Sequence, residues 1–284
     1  MAEVSKAVLI SGCSSGIGWA TAERLAQRDW TVYATARRPE AVAELERRGC
    51  RTLALDVTDE DSMQAAVGAV EEREGAVGVL VNNAGYSQSG AVETVPLEQV
   101  RRQFETNVFG LVRMCQLVLP GMRRQGWGRI VNVSSMGGRL TFPGGGFYHA
   151  TKHAVEAISD ALRFEVAGFG VGVAIIEPGL ILTGFGDVAA GSVAETGADD
   201  SPYAAFNAAV AETTKQTYEG GPLVRLGGGP ETVARAIEKA ISARRPRTRY
   251  KVTPSARLAL GARRLLPDRA WDAAMRNQFP QPRG

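Results

Sequence analysis

Short apolar runs alternate with amphipathic stretches along the first two thirds of the chain. The apolar runs end at glycine or polar residues, which is typical of buried parallel strands. They occupy residues 4–10, 31–36, 51–55, 77–81, 129–133 and 171–176. The stretches between them have the apolar spacing of helices and occupy residues 17–28, 39–48, 59–74, 97–119 and 148–167.

This alternation predicts an α/β fold, namely a doubly wound parallel sheet of the Rossmann type with helices on both faces. The rhythm stops after Gly179, and we interpret the small and polar residues 184–222 as a mobile lid. A helix at 231–243 and a strand at 249–252 then close the sheet. The prediction is one dinucleotide-binding domain over residues 1–253, with the lid inside it.

A basic, amphipathic extension, residues 254–284, follows that domain. The 284-residue chain has a formal charge of +3, but residues 244–284 carry +9 and the remainder −6. Two helical stretches, 255–266 and 268–279, each present an apolar stripe: Leu258, Ala262, Leu265 and Leu266 on the first, and Trp271, Ala274, Met275 and Gln278 on the second. We expect these stripes to dock over the ligand cleft or against a second subunit. An anionic membrane surface is the rival partner.

Composition narrows the class of protein further. With 44% hydrophobic and 22% charged residues, the chain is typical of a globular protein, not a disordered or collagen-like one. No run approaches the roughly 18 apolar residues of a membrane span, and residues 1–7 do not resemble a leader, so we expect a soluble, cytoplasmic protein. The basic cluster at 244–249 is short and lacks interleaved aromatics, which argues against a nucleic-acid partner. Three widely spaced cysteines predict neither disulfides nor a metal site.

A glycine-rich loop, G-x-x-x-G-x-G, follows the first predicted strand. Ligands of doubly wound sheets bind beyond the carboxyl ends of the strands, where this loop lies. Glycines permit a tight turn and close approach to a diphosphate, while the N–H groups at the next helix start donate hydrogen bonds. An ordinary glycine turn is the alternative, but the flanking strand and helix favour a phosphate loop. Its expected dinucleotide contacts are Gly12, Ser14, Ser15, Gly16, Ile17 and Gly18.

Tyr148 and Lys152 are one helical turn apart, on the same face of a predicted helix. A phenol with a pKa near about 10 exchanges protons at neutral pH only if its anion is stabilised, and a neighbouring ammonium does this. Taken alone, such a pair is more often a surface tyrosine beside a surface lysine. His149 and His153 flank the pair, and we expect them to be packing or surface residues.

The ordered set of motifs favours a catalytic Tyr148–Lys152 pair over a surface pair. The glycine loop, Asn82-Asn83-Ala84-Gly85 after strand four, Asn107, Ser135 and the Tyr148–Lys152 pair together resemble the classical short-chain dehydrogenase/reductase family, over residues 4 to about 253. The resemblance implies an oxidoreductase that interconverts an alcohol and a ketone or aldehyde by hydride transfer to or from a nicotinamide cofactor.

The same resemblance implies the role of each catalytic residue. Tyr148 would exchange a proton with the substrate oxygen, and Ser135 would hydrogen-bond that oxygen. Lys152 would lower the tyrosine pKa and bind the nicotinamide ribose, and Asn107 would support Lys152 through water. Ser134 is a rival for the serine role, although the spacing to Tyr148 favours Ser135.

The family's cofactor contacts map onto further positions. Asp56 and Val57, after the third strand, would contact the adenine. The segment from Pro178 to Thr183 would hold the nicotinamide carboxamide. The remaining contacts implied by the resemblance are Asn83, Ala84, Gly85, Pro178, Gly179, Ile181 and Thr183. Two departures from the family pattern are Ser11 in place of threonine and Thr151 in place of serine.

Cofactor choice is indicated at the end of the second strand. NAD enzymes present an acidic side chain to the ribose there, whereas this chain has Ala36 followed by Arg37 and Arg38. A guanidinium matches a 2′-phosphate, so NADP is favoured over NAD. The alternative is a pair of solvated arginines.

The substrate is indicated less directly. Apolar side chains lie in loops expected near the nicotinamide: Leu140, Phe142, Phe147, Phe185, Tyr203 and Phe206. They suggest an apolar substrate, and the chain resembles most the members that act on steroids, retinoids or other lipid-like alcohols. A non-catalytic dinucleotide sensor or scaffold is the alternative, but the retained Ser135, Tyr148 and Lys152 argue against it. The resemblance also implies a homodimer or homotetramer.

Overall fold

The computed structural model describes residues 4–194, 201–219 and 222–282, which form a seven-stranded sheet covered by helices on both faces. The strands are β1 Val8–Ile10, β2 Val32–Ala36, β3 Arg51–Ala54, β4 Val79–Asn82, β5 Gly128–Val133, β6 Val171–Glu177 and β7 Arg249–Lys251. They pair in the order β3-β2-β1-β4-β5-β6-β7, and every pair is parallel. The predicted doubly wound α/β fold is therefore confirmed.

Helices connect the strands and extend the chain beyond them. They are α1 Gly16–Ala26, α2 Ala43–Arg47, α3 Glu60–Glu74, α4 Leu97–Phe104, α5 Gly110–Gln125, α6 Gly146–Val166, α7 Phe185–Ala194, α8 Ala204–Glu219, α9 Pro230–Ser242, α10 Pro254–Leu265 and α11 Asp268–Arg276. No helix within these described ranges is both long enough and apolar enough to cross a membrane.

The side-chain alternation of the strands builds a separate core on each face of the sheet. On β1, Val8 and Ile10 pack with Leu25 of α1 and Ile237 of α9. Leu9 points to the opposite face, where α5 supplies the buried Met114 and Met122 of the second core. The strand order reverses between β1 and β4, so the loops after these two strands lie beside one another at the ligand-binding edge.

The long helix predicted at 97–119 is present, but it extends to Gln125 and contains a π-helical turn. A π-helical turn, Glu105–Phe109, separates α4 from α5, and α5 continues through Pro120 to Gln125. The helix stops where Gly126 adopts a left-handed φ of 71°, a conformation that glycine tolerates. Pro120 lies inside α5, where the packing of Met114 and Met122 in the core supports the helix on both sides of it.

The segment interpreted as a mobile lid is helical in its described residues, because α7 and α8 pack against each other. Residues 195–200 and 220–221 of that segment lie outside the described residues. The C-terminal extension closes over these helices. Met275 and Phe279 form a buried cluster with Val193 of α7 and Val210 of α8. The second apolar stripe thus docks at the cleft, whereas Leu258 and Leu265 of the first stripe stay exposed.

Candidate active site

A cleft of about 1760 Å³ opens beyond the carboxyl ends of the central strands. Loops that follow β1, β4, β5 and β6 line it, together with parts of α6, α7, α8, α10 and α11. All the site residues expected from the sequence line this cleft except Gly18, Arg38 and Asn107. The structure therefore gathers residues that are more than half the chain apart, from Gly12 to Thr183, into one site.

The glycine loop is shaped by close backbone contacts. Gly12 has a φ of 73°, and a Cβ there would lie 2.9 Å from the Cα of Ala84. A Cβ at Gly18 would lie 2.2 Å from the carbonyl oxygen of Gly12, so Gly18 shapes the loop without lining the cleft. Larger residues would therefore deform the loop at either position.

The start of α1 is open to an anion. Ser15 is the N-cap, but its side chain makes no capping hydrogen bond, and no acidic residue lies in the first turn. The N–H groups at a helix start lack partners within the helix and carry a partial positive charge. This end of α1 fits a diphosphate group, as the sequence predicts.

Asn83 joins the loop after β4 to the glycine loop. Its side-chain Nδ2 donates to the carbonyl oxygens of Ser11 and Gly12, at 3.0 and 2.9 Å. The Ser11 hydroxyl in turn accepts hydrogen bonds from the N–H groups of Asn83 and Ala84. Serine at position 11 therefore supplies the hydroxyl acceptor without the methyl group of threonine.

Tyr148 lies in the first turn of α6, and its half-buried phenol contacts Ser135. Burial raises the pKa of Tyr148, and the Ser135 hydroxyl close to the phenol opposes that rise. The rival serine, Ser134, has a buried hydroxyl without a hydrogen-bond partner among the described residues. The structure thus brings Ser135, not Ser134, to the phenol.

Lys152 is buried one turn after Tyr148. Its ammonium donates to the carbonyl oxygen of Val133 at 2.9 Å and lies 5.8 Å from the centroid of the Tyr148 ring. Burial lowers the pKa of Lys152 to about 8, and the nearby Glu156 carboxylate opposes this. The lysine therefore remains largely protonated near neutrality, next to the ring but without a direct bond to the phenol.

Asn107 lies in the π-helical turn and fixes the surroundings of Lys152. Its Nδ2 donates to the Tyr86 carbonyl at 2.9 Å and to the Thr151 hydroxyl at 3.1 Å, and its Oδ1 accepts from the Tyr86 N–H. The Thr151 hydroxyl donates onward to the carbonyl oxygen of Tyr148 at 2.7 Å. Asn107 is thereby linked to α6 through Thr151, a connection that the sequence analysis missed.

His149 packs beneath the loop that carries Ser135. Its Nδ1 lies 3.1 Å from the Gly137 carbonyl oxygen, and a Cβ at Gly137 would lie 2.3 Å from the same nitrogen. Burial lowers its pKa to about 4, so the ring is neutral near pH 7. No group of three or more His, Cys, Asp or Glu side chains that could hold a metal occurs in the described ranges.

The segment after β6 is held by the C-terminal part of the chain. The Leu180 N–H donates to the Ser255 hydroxyl at 3.0 Å, and the Leu182 N–H donates to the Gly228 carbonyl at 2.9 Å. The backbone N–H of Ile181, between them, takes no part in that pairing. Ser255 is a supporting residue that no local motif signalled.

The two arginines after β2 differ in position. Both are exposed, but Arg37 lines the cleft and Arg38 does not. Asp56 lines the cleft at the next strand end, where its carboxylate accepts from the N–H and hydroxyl of Thr58, at 2.9 and 2.7 Å. Of these two arginines, Arg37 is thus the one available to a ligand in the cleft.

The opposite end of the cleft is apolar and is built by α7, α8 and the tail. Of the six apolar candidates from the sequence, Phe142 and Phe185 line it, whereas the Tyr203 hydroxyl is turned outward to Glu93 at 2.7 Å. Lining residues that the sequence analysis did not assign to the cleft are Val188, Val210, Thr213, Thr214, Thr217, Tyr218 and Phe279. The helical spacing of residues from Val210 to Tyr218 could have assigned them to one face of a helix from the sequence.

Comparison with known proteins agrees with this geometry. The family model for short chain dehydrogenase matches residues 6–192. The chain is 36% identical to 3-ketodihydrosphingosine reductase of Bacteroides thetaiotaomicron, over 95% of this chain and 96% of that protein. It is 35% identical to NADPH-dependent 3-dehydrocapnine reductase of Ornithobacterium rhinotracheale, over 93% and 94% of the two chains.

A solved structure extends the likeness to the whole fold. The crystal structure of a short-chain dehydrogenase from Streptomyces avermitilis has a TM-score of 0.79 and 34% identity, covering 97% of this chain and 96% of that one. The chain belongs to the short-chain dehydrogenase/reductase family, whose members are NAD(P)-dependent oxidoreductases of CH–OH groups.

Proposed function

We propose that the protein is an NADPH-dependent oxidoreductase that interconverts an alcohol and a ketone or aldehyde on an apolar, lipid-like substrate. One observation carries the proposal. Tyr148 and Ser135 lie in a single cleft with the glycine loop and Arg37 on one side and an apolar wall on the other. A substrate whose carbonyl lies at Tyr148 would therefore have the dinucleotide on one side of that carbonyl. The apolar chain of the substrate would extend along the wall on the other side.

The bound nicotinamide would supply or accept the hydride. In the reductive direction, Tyr148 donates its phenolic proton to the substrate oxygen, and the Ser135 hydroxyl hydrogen-bonds that oxygen as charge develops on it. Oxidation uses the same two groups in reverse. The apolar surroundings exclude water from the reacting carbon.

Lys152 offsets the charge that the phenol gains when it loses its proton. Its ammonium is held beside the ring by the Val133 carbonyl, at 2.9 Å, and burial of both groups strengthens their attraction. Asn107 and Thr151 act as positioning residues, because their hydrogen bonds fix the turn of α6 that carries Tyr148.

Two observations support NADP over NAD. Arg37 reaches the cleft directly after β2, and the preceding position is Ala36 rather than an acidic residue. A relative with 35% identity is named an NADPH-dependent reductase. NAD is the less favoured cofactor, and a non-catalytic sensor is not favoured because the proton-transfer residues are retained.

Turnover measurements test this function directly. Purified protein is mixed with NADPH or NADH and a panel of ketones and aldehydes with long apolar chains, and the nicotinamide absorbance is followed. We expect faster oxidation of NADPH than of NADH, with the highest kcat/KM for apolar ketones. Tight NADPH binding without turnover of any carbonyl or alcohol would instead support the sensor alternative.

A further inference from the structure

One face of α8 brings hydroxyl groups into the apolar end of the cleft. Val210, Thr213, Thr214, Thr217 and Tyr218 all line the cleft and follow the spacing of a single helix face. Apolar side chains share this end of the cleft, among them Phe142 and Met275, which pack in one cluster with Val210. Hydroxyl groups in such a wall are costly unless a ligand or water satisfies them.

These hydroxyls differ in what they can offer a ligand. Thr217 is satisfied within the helix, since its hydroxyl donates to the Thr213 carbonyl at 2.7 Å. Among the residues that the structure describes, no hydrogen bond joins the phenolic oxygen of Tyr218 to a neighbour, and burial alone shifts its pKa. On this face, the hydroxyl group of Tyr218 is therefore the one that is carried by a rigid ring and is also free to donate a hydrogen bond.

Packing holds the Tyr218 ring in place near the proton-transfer residue. A Cβ at Gly186 would lie 2.7 Å from Tyr218 Cγ, so the ring lies directly on the backbone of α7. Phe185 links the two tyrosines, with its ring centroid 6.5 Å from that of Tyr218 and 5.5 Å from that of Tyr148. Phe185 thus packs against both tyrosines, and Tyr218 is close enough to Tyr148 to affect its pKa.

Electrostatics keep the second phenol neutral. Burial raises the pKa of Tyr218 to about 12, so its hydroxyl remains protonated at physiological pH. The proximity of Tyr218 also contributes to the raised pKa of Tyr148. A neutral phenol is a hydrogen-bond donor and acceptor of fixed position, suited to recognising a polar group on a bound molecule.

We propose that Tyr218 binds a second polar group of the substrate, a few bonds from the reacting carbonyl, so that the preferred substrates are hydroxyketones with an apolar chain. This inference rests on the proposed function and narrows its substrate class. The second group is a neutral hydroxyl, which can both accept from and donate to the neutral phenol of Tyr218. The apolar chain then lies along Val210 and Met275.

A pair of matched substrates tests the inference. Two ketones of equal chain length, one with a hydroxyl group beside the carbonyl and one without, are compared in kcat/KM with NADPH. The wild-type protein is expected to favour the hydroxyketone by roughly 3- to 10-fold, the worth of one ordinary hydrogen bond. Tyr218→Phe removes the hydroxyl but keeps the ring, and the preference is expected to disappear, mainly through a higher KM for the hydroxyketone.

Tyr203→Phe is the matched control, because its phenol is on the same segment of chain but bonds to Glu93 on the outside. It should keep the wild-type preference. Equal kcat/KM for the two ketones in the wild type, or an unchanged preference in Tyr218→Phe, would overturn the inference and leave the oxidoreductase function standing. Failure of the wild type to reduce any ketone would overturn the proposed function, and this inference with it.

Discussion

The indole nitrogen of Trp271 donates a hydrogen bond to the main-chain oxygen of Thr141, 3.3 Å away. The Trp271 ring also packs against Phe142, at a centroid distance of 5.9 Å. This contact joins the C-terminal helix α11 to the loop that follows Ser135. The tail is therefore part of the wall of the cleft, and its removal has consequences for the substrate.

Deletion of residues 267–284 should raise the substrate KM and leave the Kd for NADPH nearly unchanged. It removes Trp271, Met275 and Phe279 from the apolar wall but keeps Ser255, which holds the Leu180 N–H. Substrate kinetics and NADPH titration of the shortened protein measure this. A cut after Val252 is a less selective test, because it also removes Ser255.

The membrane alternative for the tail has its own outcome. Leu265, 83% exposed and outside the cleft, is the site of a control variant, Leu265→Ser. We expect this variant to keep wild-type kinetics. A second outcome would favour a membrane-contacting tail instead. In that outcome the wild type sediments with anionic liposomes in a salt-sensitive way. The deletion of 267–284 and Leu265→Ser both lose this binding but keep wild-type kinetics on soluble substrates.

Tyr148→Phe should abolish turnover while NADPH still binds. The substitution keeps the ring packed against Phe185 and removes the proton that the mechanism requires. Loss of a general acid typically costs roughly 10²- to 10⁴-fold in rate. Single-turnover kinetics and NADPH fluorescence measure the two effects separately. A near-normal kcat in this variant would refute the assigned role.

Arg37→Asp should reverse the cofactor preference from NADP to NAD. A carboxylate repels the 2′-phosphate and can accept hydrogen bonds from ribose hydroxyls, and a charge-assisted bond is worth roughly 1.5 to 3 kcal/mol. Arg38→Asp is the matched control, since Arg38 is adjacent and exposed but does not line the cleft. Equal affinity of the wild type for the two cofactors would contradict the assignment.

His149 should make the protein less stable in acid. Its pKa is lowered from 6.5 to about 4 by burial, so between these values the unfolded chain binds a proton that the folded protein does not. The free energy of unfolding therefore falls as the pH falls through this window, by up to about 3 kcal/mol.

Denaturant titrations at pH 7 and pH 4 measure this loss. His149→Gln should lose less stability between the two pH values than the wild type. His153→Gln alters an exposed histidine one turn away and should behave like the wild type. Identical pH dependence in the wild type and His149→Gln would show that burial of His149 has no such effect.

The helices α7 and α8 should be ordered further by ligands. They interrupt the α/β alternation directly after the segment from Pro178 to Thr183, and they carry the substrate-facing wall. Lids of this kind exclude water during the reaction. Hydrogen exchange should slow in both helices when NADPH and a substrate analogue bind, with α3 as the internal reference. Equal protection with and without ligands would contradict the lid.

Local sequence patterns determined most of the fold and the proton-transfer pair. Apolar runs and helical spacing predicted the alternating strands and helices, because side-chain periodicity follows directly from backbone geometry. The Tyr148–Lys152 pair and the glycine loop were visible because the residues of each lie within a few positions of one another.

The homodimer or homotetramer that the resemblance implies stays a prediction.

Tertiary packing decided the rest. Spacing to Tyr148 favoured Ser135 over its rival Ser134, and the path of the loop after β5 brings Ser135 to the phenol. The apolar stripe around Trp271 predicted that the tail would be covered, but not that it would pack on α7 and α8. Periodicity identifies which face of a helix is apolar. The surface that covers the face depends on contacts between residues far apart in the chain, which only the assembled fold determines.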